Sequence, residues 1–256
     1  MPEFIESTTN PFGGVIPVPS ALEEDPGRFR LRLADSLIEW KNQGHLAVWL
    51  EIPIGKSQLI PVAVEAGFVF HHSTDDYLML IHRLEPDTYL PPFATHYIGA
   101  GGVVLNEDRE LLVVRERYGM RGRTPSLKLP GGALLAGEHL VEAVEREVLE
   151  ETGVKTEFQA LVCFRHWHQY RYGKSDIYFV CRLKPLSSEI KMQAAEIAEC
   201  LWTPVDDFLE SEDISNFNKG IVRAALESPG IIPGWIDGFI DRTQGEFFMP
   251  QSQGRD

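Results

Sequence analysis

The stretch "GGALLAGEHLVEAVEREVLEETGV", residues 131–154, constrains this chain more than any other. Glycines at 131, 132 and 137 open a loop, and a helix-forming run follows that Gly153 stops. A helix advances about 100° per residue, so Val141, Val144 and Val148 share one stripe that must pack on a core. Glu147, Glu150 and Glu151 fall on the flank of that stripe, with Glu151 nearest the apolar edge. Like charges three and four apart repel by roughly 0.2–0.5 kcal/mol per pair. The chain already carries a net charge of −14. Carboxylates at a half-buried rim are costly unless paired or bound to a cation, so the cluster calls for positive charge.

Hard oxygen donors point to Mg²⁺, or Mn²⁺, ions that keep several waters and bind substrate phosphates. Arg146 stands four residues from both Glu142 and Glu150, where it can pair with a ligand carboxylate and orient it. The glycines let backbone approach a phosphate or a metal closely.

Elements on either side of this segment alternate. "RFRLRLADSLIEWKNQG" predicts a helix stopped by Gly44, and "LAVWLEI" a strand closed by Pro53. "SQLIPVAVEAGF" predicts a short helix with Pro61 in its first turn. "FVFHH" and "YLMLIHRL" pair as strands around the turn "STDD". The connector "LEPDTYLPPF" marks a domain boundary. Beyond it, "YIGAGGVVL" and "LLVVRERY" read as a hairpin through "NEDRE", and "FQALVCFRHWHQY" with "SDIYFVCRL" as a second strand pair. The strand-like "ECLWTPV", the helix-like "NKGIVRAALES" and a tail punctuated by glycine and proline complete the chain. The expected division is a first domain over 1–92 with an ordered core at 14–85, a second over 93–235, and a tail over 236–256. Strands separated by helices predict an α/β (α+β) fold with a mixed sheet.

The pI near 5.0 excludes nonspecific binding to nucleic acid or to an anionic membrane, both negative themselves. A small anionic substrate stays compatible, since a metal or a few arginines can neutralise it. Cys163, Cys181 and Cys200 give neither a disulfide framework nor a zinc pattern, and an odd number suits a reducing compartment. "MPEFIESTTNPFGG" has no apolar run, and no stretch reaches the roughly 18 apolar residues of a membrane span. A cytoplasmic location is the expectation.

Gly132, Glu138, Arg146, Glu147, Glu150, Glu151 and Gly153, with Val148 and Val154 at the apolar positions, match the signature of the Nudix hydrolases throughout. The resemblance implies an α/β/α sandwich that binds one or more divalent cations and directs water at a phosphorus of a nucleoside diphosphate linked to another group. It implies metal ligation by Glu147, Glu150 and Glu151, with a carbonyl of Gly131 or Gly132 joining them, and a helper role for Glu138. The general base varies in the family: Glu151 is one candidate, and Glu196 in "MQAAEIAECLW" is another, set against ordinary surface charge.

"LIEWKNQGHLAVWLEIPIGKSQLIPVAVEAGFVFHH" and "YGKSDIYFVCRLKP" extend the resemblance over most of residues 15–205. They are similar to a subfamily holding the animal antisense-fibroblast-growth-factor Nudix protein and several plant ADP-ribose/NADH pyrophosphatases. The small α/β N-terminal domain of that group resembles part of an acetyltransferase fold, and its members often dimerise, so a homodimer is expected. "FHHSTDD" shows no acetyl-CoA pyrophosphate loop, which leaves His71 and His72 structural. Where many relatives place Trp before Pro-Gly-Gly, this chain has Leu127.

The substrate is the least constrained point. "RERYGMRGR" offers Arg115 or Arg117 as a phosphate clamp, on equal footing with solubilising loop charge. "FRHWHQYRYGK" alternates His166 and His168 with Trp167, so one face can stack a base. Tyr170 lies where diadenosine-polyphosphate enzymes often carry tyrosine, whereas the broader resemblance implies ADP-ribose or NADH. The alternatives are a nucleotide sensor that does not cleave, or a diadenosine-polyphosphate or CoA pyrophosphohydrolase.

Overall fold

The computed structural model describes residues 4–118, 125–239 and 241–250. The chain separates between Ala94 and Thr95 into two compact units, each with its own core.

The first unit runs β1 (Ser7–Thr9), β2 (Gly14–Pro17), α1 (Pro26–Asn42), β3 (Ala47–Pro53), α2 (Ile60–Glu65), β4 (Val69–Ser73) and β5 (Tyr77–Arg83). The strands form one sheet in the order β1-β2-β3-β5-β4. α1 begins at Pro26, whose missing N–H costs nothing in a first turn, and Asp25 caps it by accepting from the Arg28 N–H at 2.8 Å. Its Phe29, Leu33 and Trp40 bury against Leu50 and Leu80 of the sheet. Pro61 stands in the first turn of α2, as its position in the sequence requires.

The second unit runs β6 (His96–Val104), β7 (Glu110–Glu116), β8 (Gly131–Ala133), α3 (Leu140–Thr152), β9 (Thr156–Trp167), β10 (Ser175–Pro185), β11 (Ile197–Pro204), α4 (Val205–Glu210), α5 (Asn216–Glu227), β12 (Ile232–Gly234) and β13 (Phe247–Met249). A mixed sheet has the order β8-β6-β10-β9, with β6 parallel to β10 and the other pairs antiparallel.

One expectation is corrected here. β6 and β7 are consecutive strands but not a hairpin ladder: only Leu105 and Leu111 bridge, while β7 pairs with β11. Both strands are buried on both faces over most of their length. Such apolar runs identify a strand without saying which partner it takes.

Side-chain alternation along the sheet separates two helix layers. Ala100, Val104, Cys181 and Leu183 meet Leu140, Val144 and Val148 of α3. Val103, Val113 and Val180 meet Phe208 of α4 and Val222 of α5 on the other side. This is the α/β/α sandwich. Val141 is only half-buried, and Leu140 takes the inward place that its spacing suggested, a rotation of one residue.

Candidate active site

β8 is three residues long and pairs with β6, setting Gly131 opposite Gly101 and Gly132 opposite Ala100. Gly131 has φ +148°, and a Cβ there would collide with the Ala100 carbonyl oxygen. A Cβ on Gly132 would lie 2.5 Å from Glu147 Oε2. Only glycine allows this strand to lie on both β6 and the α3 carboxylates.

Glu151 is the last acidic residue of α3 and is 8% exposed. Its Oε2 accepts the Gly131 N–H at 2.9 Å, and its Oε1 lies 3.9 Å from Lys128 Nζ, which pairs with Glu116 at 2.6 Å. Burial pushes the Glu151 carboxyl above the usual range; Lys128 and the Gly131 N–H oppose this, while Glu147 and Glu116 add to it.

Arg146 joins the helix to the loop before it. Its Nε and Nη2 donate to the two oxygens of Glu138 at 2.7 and 3.0 Å, and Nη2 also donates to the Ala133 carbonyl at 3.2 Å. Nη1 donates to Glu147 at 2.9 Å and to Glu150 at 3.1 Å. The hydrogen bond from Arg146 holds the Glu138 carboxyl below its usual range, helped by the Leu135 N–H at 3.0 Å. Glu138 lies beyond the span of a single i±4 pair, so helix spacing alone does not reveal it as the bidentate partner.

As the side chains stand, no group of three His, Cys, Asp or Glu among the described residues has the geometry of a metal site. The donor set nevertheless fits a hard divalent cation. Glu147, Glu151 and Glu116 raise the charge density of one corner where Lys128 is the counter-charge, and all the donors are oxygens. Glu147 is mostly buried, whereas Glu150 is about half exposed.

Beside this corner lies a cleft of about 830 Å³, whose lining includes none of Glu138, Arg146, Glu147, Glu150 and Glu151. Gly131, Gly132, Glu116 and Lys128 line one part of it, and Tyr97, Tyr170, Arg165, Asp176 and Phe217 another, with Tyr178 also in the lining. Burial raises the Tyr178 phenol well above its ordinary pKa, and Glu151 adds to the effect.

Of the residues singled out in the sequence, Gly131, Gly132 and Tyr170 line this cleft. Arg115 and Arg117 do not. Arg115 donates to Glu199 at 2.8 Å and to the Pro125 carbonyl at 2.6 Å, and Arg117 to the Ala194 carbonyl at 2.8 Å. The two other arginines of that segment, at 121 and 123, lie outside the described residues. Glu196 is exposed on the turn before β11, outside the lining, and its carbonyl accepts the Arg117 N–H at 2.7 Å. His166 sits 2.9 Å from His96 (Nε2 to Nε2). Sequence reasoning missed Lys128, Glu116, Arg165, Asp176, Tyr178 and Phe217. The alternation of Gly99 and Gly101 was the available signal for Tyr178, whose ring occupies the space that side chains there would need.

Two family models match the chain: the Nudix hydrolase domain over residues 5–84 and the NUDIX domain over residues 95–225. Nudix hydrolase 8 of Arabidopsis thaliana is 39% identical over 80% of this chain, which spans 56% of that protein's length. Nudix hydrolase 2 of the same plant is 39% identical over 83% of this chain and 77% of its own. Human nucleoside diphosphate-linked moiety X motif 6 is 35% identical over 87% of this chain and 69% of its own.

Proposed function

The chain belongs to the Nudix hydrolase family, and from that premise we propose that it hydrolyses the diphosphate bond of a nucleoside diphosphate linked to another moiety, with ADP-ribose and NADH as substrates and AMP as one product. The observation that carries this reading is the corner where Glu147 and Glu151 of α3 meet the side-chain-free backbone of Gly131 and Gly132 at the edge of a nucleotide-sized cleft. The human relative's name supports the class of substrate. The choice of ADP-ribose and NADH rests on the resemblance of residues 15–205 to the plant pyrophosphatases.

Nudix hydrolases generally use divalent metals. In this chain Glu147, Glu150 and Glu151, with the Gly132 carbonyl, would hold Mg²⁺ or Mn²⁺, which supplies neutralisation of the diphosphate and acidification of the attacking water. The protein's own groups do the rest. Gly131 and Gly132 line the cleft with backbone, and Lys128 places a positive charge at the same corner. Arg146 fixes the rotamers of Glu147 and Glu150 and, through Glu138, the loop that precedes them. Glu151 is the better-placed candidate to accept the proton of the water, because the Gly131 N–H orients it and burial raises its basicity. A reducing, cytoplasmic setting belongs to the same proposal, supported by three free cysteines at 163, 181 and 200.

Steady-state hydrolysis of ADP-ribose and NADH in Mg²⁺ tests the reading. Glu147→Gln is expected to lower kcat about 100-fold or more, the scale of losing an electrostatic stabiliser. Unchanged turnover would sink it.

A further inference from the structure

Most of the charged side chains lining the cleft neutralise one another: Lys128 pairs with Glu116 at 2.6 Å, and Arg165 pairs with Asp176. Arg171, in the turn between β9 and β10, is the cation left over. No carboxylate among the described residues pairs with it. Its guanidinium carbon lies 5.2 Å from the Tyr170 ring centroid. Stacking on a ring fixes the plane of the fork and leaves its N–H edge for an anion. The residue is exposed, so those donors are open to a ligand. In a chain of net charge −14, an unneutralised cation lining a cleft favours an anionic occupant.

The backbone presents this side chain at some cost. Gln169 and Tyr172, flanking Tyr170 and Arg171, have φ of +59° and +53°, values that residues with a Cβ rarely adopt. The Tyr170 N–H donates to the Lys174 carbonyl at 2.8 Å, and the Lys174 N–H to the Arg171 carbonyl at 3.0 Å, which holds the turn. Strain of this kind clusters at ligand clamps.

Position decides what the cation reads. On β6, Gly101 faces Gly131, whereas His96, five residues earlier, faces Ser175 just after the turn. At about 3.3 Å per residue, the turn stands roughly 16 Å along the strand from the glycines. That exceeds the Debye length of about 8 Å at physiological salt, so a diphosphate beside Gly131 and Lys128 is largely screened from Arg171. A second anionic group is required. Tyr97 is 39% exposed and stands edge to face with Tyr170 at 5.8 Å, so the same end of the cleft offers a base an aromatic surface. The anion that accompanies a base there is a phosphomonoester on its ribose.

We propose that Arg171 binds a phosphomonoester on the ribose of the substrate's nucleoside, so that dinucleotides carrying this third phosphate are preferred. The proposal rests on the hydrolase reading above, since the phosphate belongs to the bound substrate.

Calorimetric affinities of the whole chain in Mg²⁺ for AMP and for the 2′,5′- and 3′,5′-bisphosphates of adenosine test it without turnover. Each bisphosphate differs from AMP by one phosphomonoester. The wild type is expected to bind one of them about tenfold more tightly than AMP, equivalent to about 1.4 kcal/mol. Arg171→Gln, at an exposed position away from both cores, is expected to abolish that preference and leave AMP affinity unaltered. The rate with NADPH relative to NADH is expected to fall by the same factor. Equal wild-type affinity for AMP and both bisphosphates would overturn the proposal, as would a preference that survives Arg171→Gln. An equal loss of affinity for AMP and the bisphosphates would make Arg171 a contact to the 5′-phosphate and overturn it too. Absence of any dinucleotide turnover by the wild type, with the Arg171-dependent preference intact, would instead count against the hydrolase reading alone.

Discussion

Glu151 shows how one residue serves chemistry at the expense of the fold. Its carboxylate is buried beside Glu147 and Glu116, and one N–H and one distant ammonium offset that burial only partly. Glu151→Gln keeps an acceptor for the Gly131 N–H and removes the buried charge. Unfolding in EDTA is expected to occur about 2–4 °C higher for this variant, the shift that roughly 1 kcal/mol gives a chain of this size, while turnover falls about 100-fold or more. A lowered midpoint in EDTA would mean that the charge is better compensated than its surroundings indicate. The three carboxylates and the glycines were legible at this scale, because a fixed spacing on a helix places them whatever the rest of the chain does. Lys128 and Glu116 were not, since Lys128 reaches the corner through its bridge to Val114 of β7, the strand that ends in Glu116.

At the level of elements, the loop and α3 act as one unit because Arg146 ties Glu138 to Glu147 and Glu150. A lysine cannot make the two-pronged contact to Glu138. Arg146→Lys is therefore expected to raise the Mg²⁺ concentration needed for half-maximal rate about 10-fold or more, as outer partners of metal ligands commonly do. An unchanged Mg²⁺ titration would deny Arg146 its positioning role. Most helices and strands could be placed from period and punctuation: α1 from its apolar spacing and Gly44, α2 from Pro61 at its start. What periodicity could not supply was pairing. β6 looked like half of a hairpin and is instead a central strand between β8 and β10. Arg165 and Asp176, on adjacent strands β9 and β10, become a pair only through that register.

Across the whole molecule, two units with separate cores divide the work. The second holds the cleft, and no helix among the described residues is long and apolar enough to cross a membrane. The first carries a histidine pair that makes its stability depend on pH. His71 Nε2 is 2.9 Å from the Pro91 carbonyl, which only accepts, so that nitrogen holds the proton. His71 Nδ1 then accepts from His72 Nδ1 at 2.7 Å, and His72 Nε2 accepts from the Tyr77 hydroxyl at 3.2 Å. Burial and then His71 lower the His72 pKa, with Glu51 opposing. The unfolded chain thus takes up this proton first, so stability is full above about pH 6.5 and is lost as pH falls from there through the lower folded value. Replacing His72 with Phe is expected to flatten the fall in unfolding midpoint between pH 7.5 and 5; an equal fall in both proteins would place the pH dependence elsewhere.

The measurement that bears most directly on the central claim is product analysis after incubation with Mg²⁺ and a panel of ADP-ribose, NADH, CoA and diadenosine polyphosphates. The account expects AMP with ribose 5-phosphate from ADP-ribose and AMP with reduced nicotinamide mononucleotide from NADH. Intact substrates across the panel, in Mn²⁺ as well as Mg²⁺, would contradict it.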